Sequence, residues 1–422
     1  MARLLIIADD FTGALDTGVQ FSKMGIPTQV FVYQNTDWGK MGTNAEVLVV
    51  DTESRHLEAN EAYRRVFELC SQAKERGVKF FYKKTDSTLR GNLGAELSAL
   101  MDACNLQHLQ FIPAYPKAGR TTKQGYQYVD GTLLDQTAFA NDPLNPIIDG
   151  YIPNIIKEQT DKLVHTVNTS STDLETCLYD KNGMLVLDAA SEKDMMQIAH
   201  VLAEQRDIFA VAGCAGFAPY LPELFALKTN PNMKKGQLAH KPMLLVSGSV
   251  NEVSMAQVQY AEKAGIESLL LKPEELVSDS YVGSSAYEAL VEAAVQGLDQ
   301  TSYLILKTAD RKGDIIPLTH KAKSPSGKGT YKDITSAIGS LVRDIMNRMK
   351  VGTLVVFGGD TALGIIEQLN CTAIVPQYEV LTGIPLSTVE SDTFDGTLVT
   401  KAGGFGNEGT LMNIITYIEE GR

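Results

Sequence analysis

No C-x-x-C pair occurs among the five cysteines, Cys70, Cys104, Cys177, Cys214 and Cys371, and their number is odd, so neither a disulfide framework nor a zinc site is indicated. The six histidines are equally scattered, without an H-E-x-x-H pair, and no residue is assigned as a metal ligand. Positive charge is scarce. Lys and Arg number 38 against 51 Asp and Glu, a net charge of -13, which leaves no basic stripe for a nucleic-acid backbone. No apolar run is long enough to span a membrane, and the stretch at 4–8 is too short and too soon followed by Asp9-Asp10 for a signal peptide, so a cytoplasmic location is expected. Heptads and convincing internal repeats are also missing.

What is present is the composition of a soluble globular protein, 44% hydrophobic and 21% charged, in 422 residues that exceed one ordinary core and imply two domains. Apolar strands at 4–8, 28–33, 47–51 and 78–82 alternate with helices around 14–24, 58–75 and from Leu93. That alternation predicts an α/β fold, with largely parallel sheets flanked by helices. Strands at 107–114, 185–187 and 209–212 continue the series, and 115–155 reads as loop-rich. Residues 228–242 carry prolines, cations and amides without apolar periodicity, which predicts a first domain at 1–230, a linker at 231–242 and a second domain at 243–422. Beyond it come strands at 243–246, 268–271, 303–307 and 353–357 and helices at 253–264 and 334–349, with a loop at 313–331.

The chemistry-bearing side chains gather at the strand tips, where open α/β sheets bind ligands. The densest tip is Lys83-Lys84-Thr85-Asp86-Ser87-Thr88-Leu89-Arg90-Gly91-Asn92, set between an apolar strand and an apolar helix. Such a mixture is unusual for a merely solvated loop and suits an anionic, hydroxylated small molecule. An acidic chain binding an acidic ligand must concentrate its cations locally, as Lys83, Lys84 and Arg90 do. The first tip sets Asp9 beside Asp10. One of them is expected to bond inward and the other to face a ligand hydroxyl or a metal, unless Asp10 or Thr12 only caps the following helix. Arg55, at a third tip, either holds a carboxylate with its planar fork or is simply solvated, and a fourth tip adds Lys117, Arg120, Thr121 and Thr122.

The second half offers glycine instead of charge. Ser247-Gly248-Ser249, Phe357-Gly358-Gly359-Asp360-Thr361 and Lys401-Ala402-Gly403-Gly404-Phe405-Gly406 each follow a strand, where glycine admits close approach and backbone amides bind phosphate. The spacings G-x-x-x-x-G-K-[ST] and G-x-G-x-x-G are taken to be absent, so neither a Walker-type nor a dinucleotide-binding fold is expected. A polyhydroxy-acid site in one half and a nucleotide-phosphate site in the other are joined by phosphoryl transfer. The rival readings are a non-catalytic sugar-acid sensor, and a transferase or isomerase that uses the polar tips without nucleotide.

Residues 7–14, 83–96, 118–122, Asp142-Pro143-Leu144-Asn145-Pro146 and Gly358-Gly359-Asp360-Thr361 resemble the four-carbon acid sugar kinases, among them D-threonate, D-erythronate and 3-oxo-tetronate 4-kinases. The likeness spans nearly the whole chain, and Asp16-Thr17-Gly18-Val19-Gln20 together with Lys-Lys-Thr-Asp-Ser-Thr is nearest the threonate and erythronate kinases. It implies phosphorylation of a 4-hydroxyl, D-threonate being the first choice. The sugar acid would sit on the first domain, ATP on the second, and the active site in the cleft between them. Substrate contacts then fall on Asp10, Arg55, Lys83, Lys84, Thr85 and Asp86, with Arg120 added from its tip. ATP contacts fall on Ser247, Gly358, Gly359, Asp360, Thr361 and Gly404, Asp360 standing where many members have Glu. Asp86 or Asp10 would orient or deprotonate the hydroxyl, with Mg2+ bridging the phosphates. The expected partners are the sugar acid and ATP, with no nucleic acid and no membrane. The oligomeric state is left open, a homodimer being one option.

Overall fold

The computed structural model describes residues 2–33, 38, 41, 45–142, 145–169, 174, 181–205, 208–230, 241–278, 280–310 and 331–420. The chain divides into two compact units, Met1–Met233 and Lys234–Arg422. Of the expected linker at 231–242 only Lys241 and Pro242 are described, and of the expected loop at 313–331 only the last residue.

In the first unit the strands are β1 (Leu4–Ala8), β2 (Thr28–Val32), β3 (Val47–Asp51), β4 (Phe80–Lys84), β5 (His108–Ile112), β6 (Arg120–Lys123), β7 (Tyr126–Val129), β8 (Thr132–Leu133), β9 (Val164–Val167), β10 (Gly183–Leu187) and β11 (Ala210–Gly213). The main sheet runs β2-β3-β1-β4-β11-β5-β10-β9, with every pair parallel. Every residue of β1 is buried, because helices cover both faces of such a sheet and its strands are apolar throughout rather than alternating. The register is what builds the site. Ala8 lies opposite both Asp51 and Lys84, Lys84 opposite Gly213, and Gly213 opposite Ile112, so the strands end on one line and their loops start together.

Two expectations are corrected in this unit. β4 continues through Lys83 and Lys84, past the apolar run at 78–82, because the ladder to β1 and not side-chain character decides where the strand ends. The region expected to be loop-rich contains the antiparallel sheet β6-β7-β8. Gln127, buried on β7, donates to the carbonyls of Ser87 (3.0 Å) and Pro113 (3.3 Å) and accepts from Thr122 Oγ1 (2.7 Å). It thereby fixes this small sheet to two of the polar tips.

The second unit holds β12 (Met243–Ser247), β13 (Ser268–Leu270), β14 (Tyr303–Lys307), β15 (Thr353–Phe357), β16 (Ala373–Leu381), β17 (Ile384–Glu390) and β18 (Thr397–Lys401). Their order is β13-β14-β12-β15-β18-β17-β16, parallel as far as β18, with β17 antiparallel to both of its neighbours. The hairpin β16–β17 turns at Gly383, whose φ of 73° favours glycine, and the reading of the sequence does not anticipate it. Its apolar face joins Leu245, Val355, Val399 and Ile414 in one core. Among the described residues no helix is long and apolar enough to cross a membrane.

Gly94, in the first turn of helix Leu93–Cys104, leaves no room for a side chain: a Cβ there would meet the Ile156 carbonyl oxygen at 2.2 Å. On an open helix surface Gly→Ala stabilises by about 1 kcal/mol. Here Gly94→Ala is expected to destabilise by about 1–3 kcal/mol, read as a lower urea midpoint, and a raised midpoint would contradict the packing.

Candidate active site

The first tip caps helix Phe11–Ser22 and binds a cation with the same side chain. Asp10 accepts from Gly13 N (3.2 Å) and Thr12 Oγ1 (2.7 Å), and its Oδ1 also lies 2.7 Å from Arg55 Nη2. Capping and site-building are therefore not alternatives. Asp9 is the inward carboxylate, 3% exposed against 19% for Asp10, and its Oδ2 takes the Arg55 Nε–H at 2.7 Å. Burial alone would raise the Asp9 pKa, but the charges of Arg55, Lys84 and Lys83 outweigh it and hold the carboxyl below its ordinary value.

Asp86 is gripped harder. Arg90 Nε reaches its Oδ2 at 2.6 Å and Thr88 Oγ1 donates to the same oxygen at 2.5 Å, while Arg55 Nη2 stands 3.8 Å from its Oδ1. Burial pushes this carboxyl up, yet Arg90 and Arg55 hold it well below the usual carboxylate range. Arg90 also pairs with Asp142 at 3.1 Å and lies over the Phe139 ring. The turn closes through Leu89 and Gly91, both at positive φ, and Gly91 admits the stem of Arg55, whose Cγ would stand 3.0 Å from an added Cβ. Asn92 completes the link by donating to the carbonyls of Ser54 and Leu57, each at 2.8 Å.

The two lysines of the motif part ways, as successive residues of a strand must. Lys83 is fully buried, 3.0 Å from Glu96 Oε2, and donates to the carbonyls of Ile7 and Lys84. The expectation that it contacts substrate is corrected: its partners are internal and no part of it reaches solvent. Lys84 points the other way. Its Nζ has Asp9 Oδ1 and Asp10 Oδ1 both at 3.8 Å and makes no hydrogen bond among the described residues. It lies against Gly13, where an added Cβ would come within 2.3 Å of the ammonium. Burial opposes its charge, but Asp9 and Asp10 raise its pKa above the ordinary value. Asp9 Oδ1 is buried without a hydrogen-bond partner among the described residues. Buried polar groups are normally satisfied, so Asp9 Oδ1 and the Lys84 ammonium beside it stand out at this tip.

Two further expected contacts are turned inward. Thr85 is buried, with its amide (2.8 Å) and Oγ1 (3.3 Å) both on the Gly213 carbonyl, so it ties the tip to β11. Arg120 folds its guanidinium back on the Ala118 carbonyl, leaving Nε without a partner.

In the second unit Ser247, Phe357 and Lys401 end adjacent strands in matching register, so the three glycine tips lie side by side. They touch through positions without a Cβ. Gly248 faces Thr361 Oγ1, 2.1 Å from where its Cβ would be, and Gly403 faces Ser249 Oγ at 2.9 Å. Gly358, at φ 112°, donates its amide to the Lys401 carbonyl at 3.0 Å, and a Cβ on Gly404 would meet nothing within 4 Å. Asp360 sits in the first turn of helix Gly359–Gln368. One expectation is corrected here: the G-x-G-x-x-G spacing taken to be absent is present as Gly404-Phe405-Gly406-Asn407-Glu408-Gly409, running from β18 to helix Thr410–Glu420. Among the described residues no group of three or more His, Cys, Asp or Glu could hold a metal ion.

Residues 4–221 match the family model of a sugar-binding N-terminal domain, and residues 244–411 that of a nucleotide-binding C-terminal domain. The chain is 35% identical to the D-threonate kinase of Salmonella typhimurium over 99% of both chains. It belongs to the four-carbon acid sugar kinases. This kinase is also 28% identical to the D-erythronate kinase of Heliobacterium modesticaldum (99% of this chain, 97% of the relative) and 25% identical to the 3-oxo-tetronate kinase of Haemophilus influenzae (96% and 97%). Two solved structures share its fold: one from Salmonella typhimurium LT2 (TM-score 0.79, 23% identity, 98% of this chain and 99% of that one) and one from Haemophilus influenzae (TM-score 0.70, 22% identity, 99% of both). The family expected from the motifs is the family found. The sequence marks Arg90 only as a local cation and leaves open which of Asp9 and Asp10 turns inward; the pairing of Arg90 with Asp86 and Asp142, and of Asp9 with Arg55, is seen only in the structure.

The kinase's Lys83 can be tested as a structural residue. Lys83→Met leaves Glu96 buried and unpaired and is expected to cost about 3–5 kcal/mol, with part recovered when Glu96→Gln is added. Chemical denaturation checks this, and a loss below about 1 kcal/mol would mean that the pair behaves as an exposed one.

Proposed function

We propose that this kinase transfers the γ-phosphoryl group of ATP to the 4-hydroxyl of D-threonate. The observation that carries the acid-sugar reading is the Lys84 ammonium, buried among carboxylates without a hydrogen bond of its own, beside the Arg55 guanidinium. Both donors suit the substrate carboxylate. Asp10 and Asp86, the more exposed of the site's acceptors beside them, suit the sugar hydroxyls. Threonate is preferred over erythronate and 3-oxo-tetronate because of the motif at 83–88 and the higher identity to a D-threonate kinase.

Asp86, held strongly acidic, is a poor proton acceptor, so its part is to orient the hydroxyl and keep Arg90 and Arg55 in place. A loose phosphoryl-transfer transition state demands little more, since proton removal can follow bond formation. On the second unit, Ser247, Gly358, Gly359, Asp360, Thr361 and Gly404 line the tips that receive the nucleotide. Mg2+ would come with the nucleotide, held by its phosphates, and would supply charge neutralisation there.

ADP release with D-threonate, D-erythronate, L-threonate and 3-oxo-tetronate, with product position read by phosphorus NMR, tests the proposal. Release with none of them, or phosphate on another oxygen, would overturn it. Asp86→Asn is expected to lower kcat by about a hundredfold with ADP affinity unchanged, and near-normal turnover would remove Asp86 from the site. Gly404→Val places its methyls in open space, so the variant should fold normally and bind ATP about tenfold or more weakly. Unchanged ATP affinity would move the phosphates elsewhere.

A further inference from the structure

Lys401 ends β18 fully buried, and no carboxylate among the described residues pairs with it. Its ammonium donates to the carbonyls of Ala402 (2.9 Å), Gly403 (3.0 Å) and Phe405 (3.2 Å) and to Ser254 Oγ (3.2 Å), and it stands 4.6 Å from the centroid of the Phe357 ring. Ser254 Oγ also donates to the Gly403 carbonyl (3.0 Å), and Gln257 Nε2 to that of Phe405 (3.0 Å). Three side chains thus draw the carbonyls of one short turn inward.

Peptide planarity then sets the direction of the amides. In a trans peptide the N–H of residue i+1 points opposite to the carbonyl of residue i. With carbonyls 402, 403 and 405 turned to Lys401, the amides of Gly403, Gly404 and Gly406 point away from it, and none of the three has an acceptor among the described residues. Successive outward amides form a nest for an anion. The spacing Gly404, Gly406, Gly409 places these amides on a strand-to-helix turn, where backbone donors meet anions. A buried cation without a counter-ion behind the carbonyls polarises the same peptides and strengthens their amides as donors.

Resting on the reading that this unit binds nucleotide, we propose that Lys401 is the positioning residue of the phosphate nest: it shapes the turn through its carbonyls, and the nucleotide phosphate supplies its missing counter-charge. The consequence is a proton linkage. The groups facing the ammonium are Ser254, the three carbonyls and the Phe357 ring, none of which titrates near neutrality, and burial alone lowers its pKa to about 7. A bound phosphate favours the charged form and raises that pKa, so nucleotide binding takes up a proton, and affinity falls as pH rises above 7. The nucleotide's own terminal ionisation, near pH 6, would act in the opposite direction and is complete below that window.

The test is calorimetry of ADP binding to the whole wild-type enzyme between pH 7 and 9, in buffers of different ionisation enthalpy. Proton uptake and an ADP Kd that rises about tenfold across the window are expected. Lys401→Met, which loses both the charge and the bonds to the carbonyls, should bind ADP about tenfold more weakly at pH 7 and show neither uptake nor pH dependence. Lys401→Arg, which keeps its charge throughout, should remove the pH dependence. Wild-type ADP binding with no uptake and a flat Kd would overturn the role of Lys401 and leave the nucleotide reading intact. Absence of ADP binding at any pH would overturn that reading itself.

Discussion

The first unit's site hangs on the Arg55 guanidinium. Asp9 and Asp10 come from one strand tip, Arg55 from the next and Asp86 from a third, and only a planar cation with several donors can bond the first two and stand 3.8 Å from the third from one place. The surrounding residues serve that placement. Gly91 clears space for the Arg55 stem, Asn92 ties the loops at Ser54 and Leu57 to its own helix, and the Asp9 carbonyl accepts the Ser54 and Arg55 amides. A lysine could neutralise charge at this position but could not reproduce the two bonds at 2.7 Å.

That arrangement changes how an anionic substrate is recognised. Asp9, Asp10, Asp86 and Asp142 outnumber Arg55, Lys84 and Arg90, so no surplus of positive charge draws a carboxylate in. Selection must come from geometry: donors held apart from their carboxylates, as Lys84 is at 3.8 Å, give up little when a ligand oxygen approaches. The carboxylates that keep those donors in place are also acceptors for hydroxyls. A site of this kind asks for an acid and a polyol in the same molecule, and a simple anion meets only half of it.

The parallel sheets and the polar tips were legible in the sequence because they follow from period and position. Other features were not. Lys83 and Lys84 look equivalent in the sequence, and only the alternation of a strand that continues two residues past its apolar run sends one to Glu96 and the other to the site. Arg120 and Thr85 carry suitable side chains, but backbone carbonyls within reach claim them. The sheet β6-β7-β8 is short and polar, with weak periodicity, and is held by Gln127 rather than by a hydrophobic face. The G-x-G-x-x-G at 404–409 is visible in the sequence, but it overlaps a run of glycines that already counts as one of the three glycine tips, and the spacing itself is missed.

The two units handle negative charge by opposite physical routes. The first gathers whole charges of both signs at its tips and tunes each by its neighbours, which gives directional contacts to a small ligand with few atoms. The second removes side chains from its tips and presents peptide dipoles, which suit the diffuse charge of a phosphate chain and impose no fixed point of attachment. Dipoles are directional only if the peptides cannot rotate, and glycine, the residue that permits the approach, is also the one that rotates most easily. Something must therefore lock the peptides from behind. In the third tip that lock is built from Lys401, Ser254 and Gln257, all bonding carbonyls on the inner side, so the freedom that glycine brings to the turn is cancelled without adding a single atom to the face that the ligand meets.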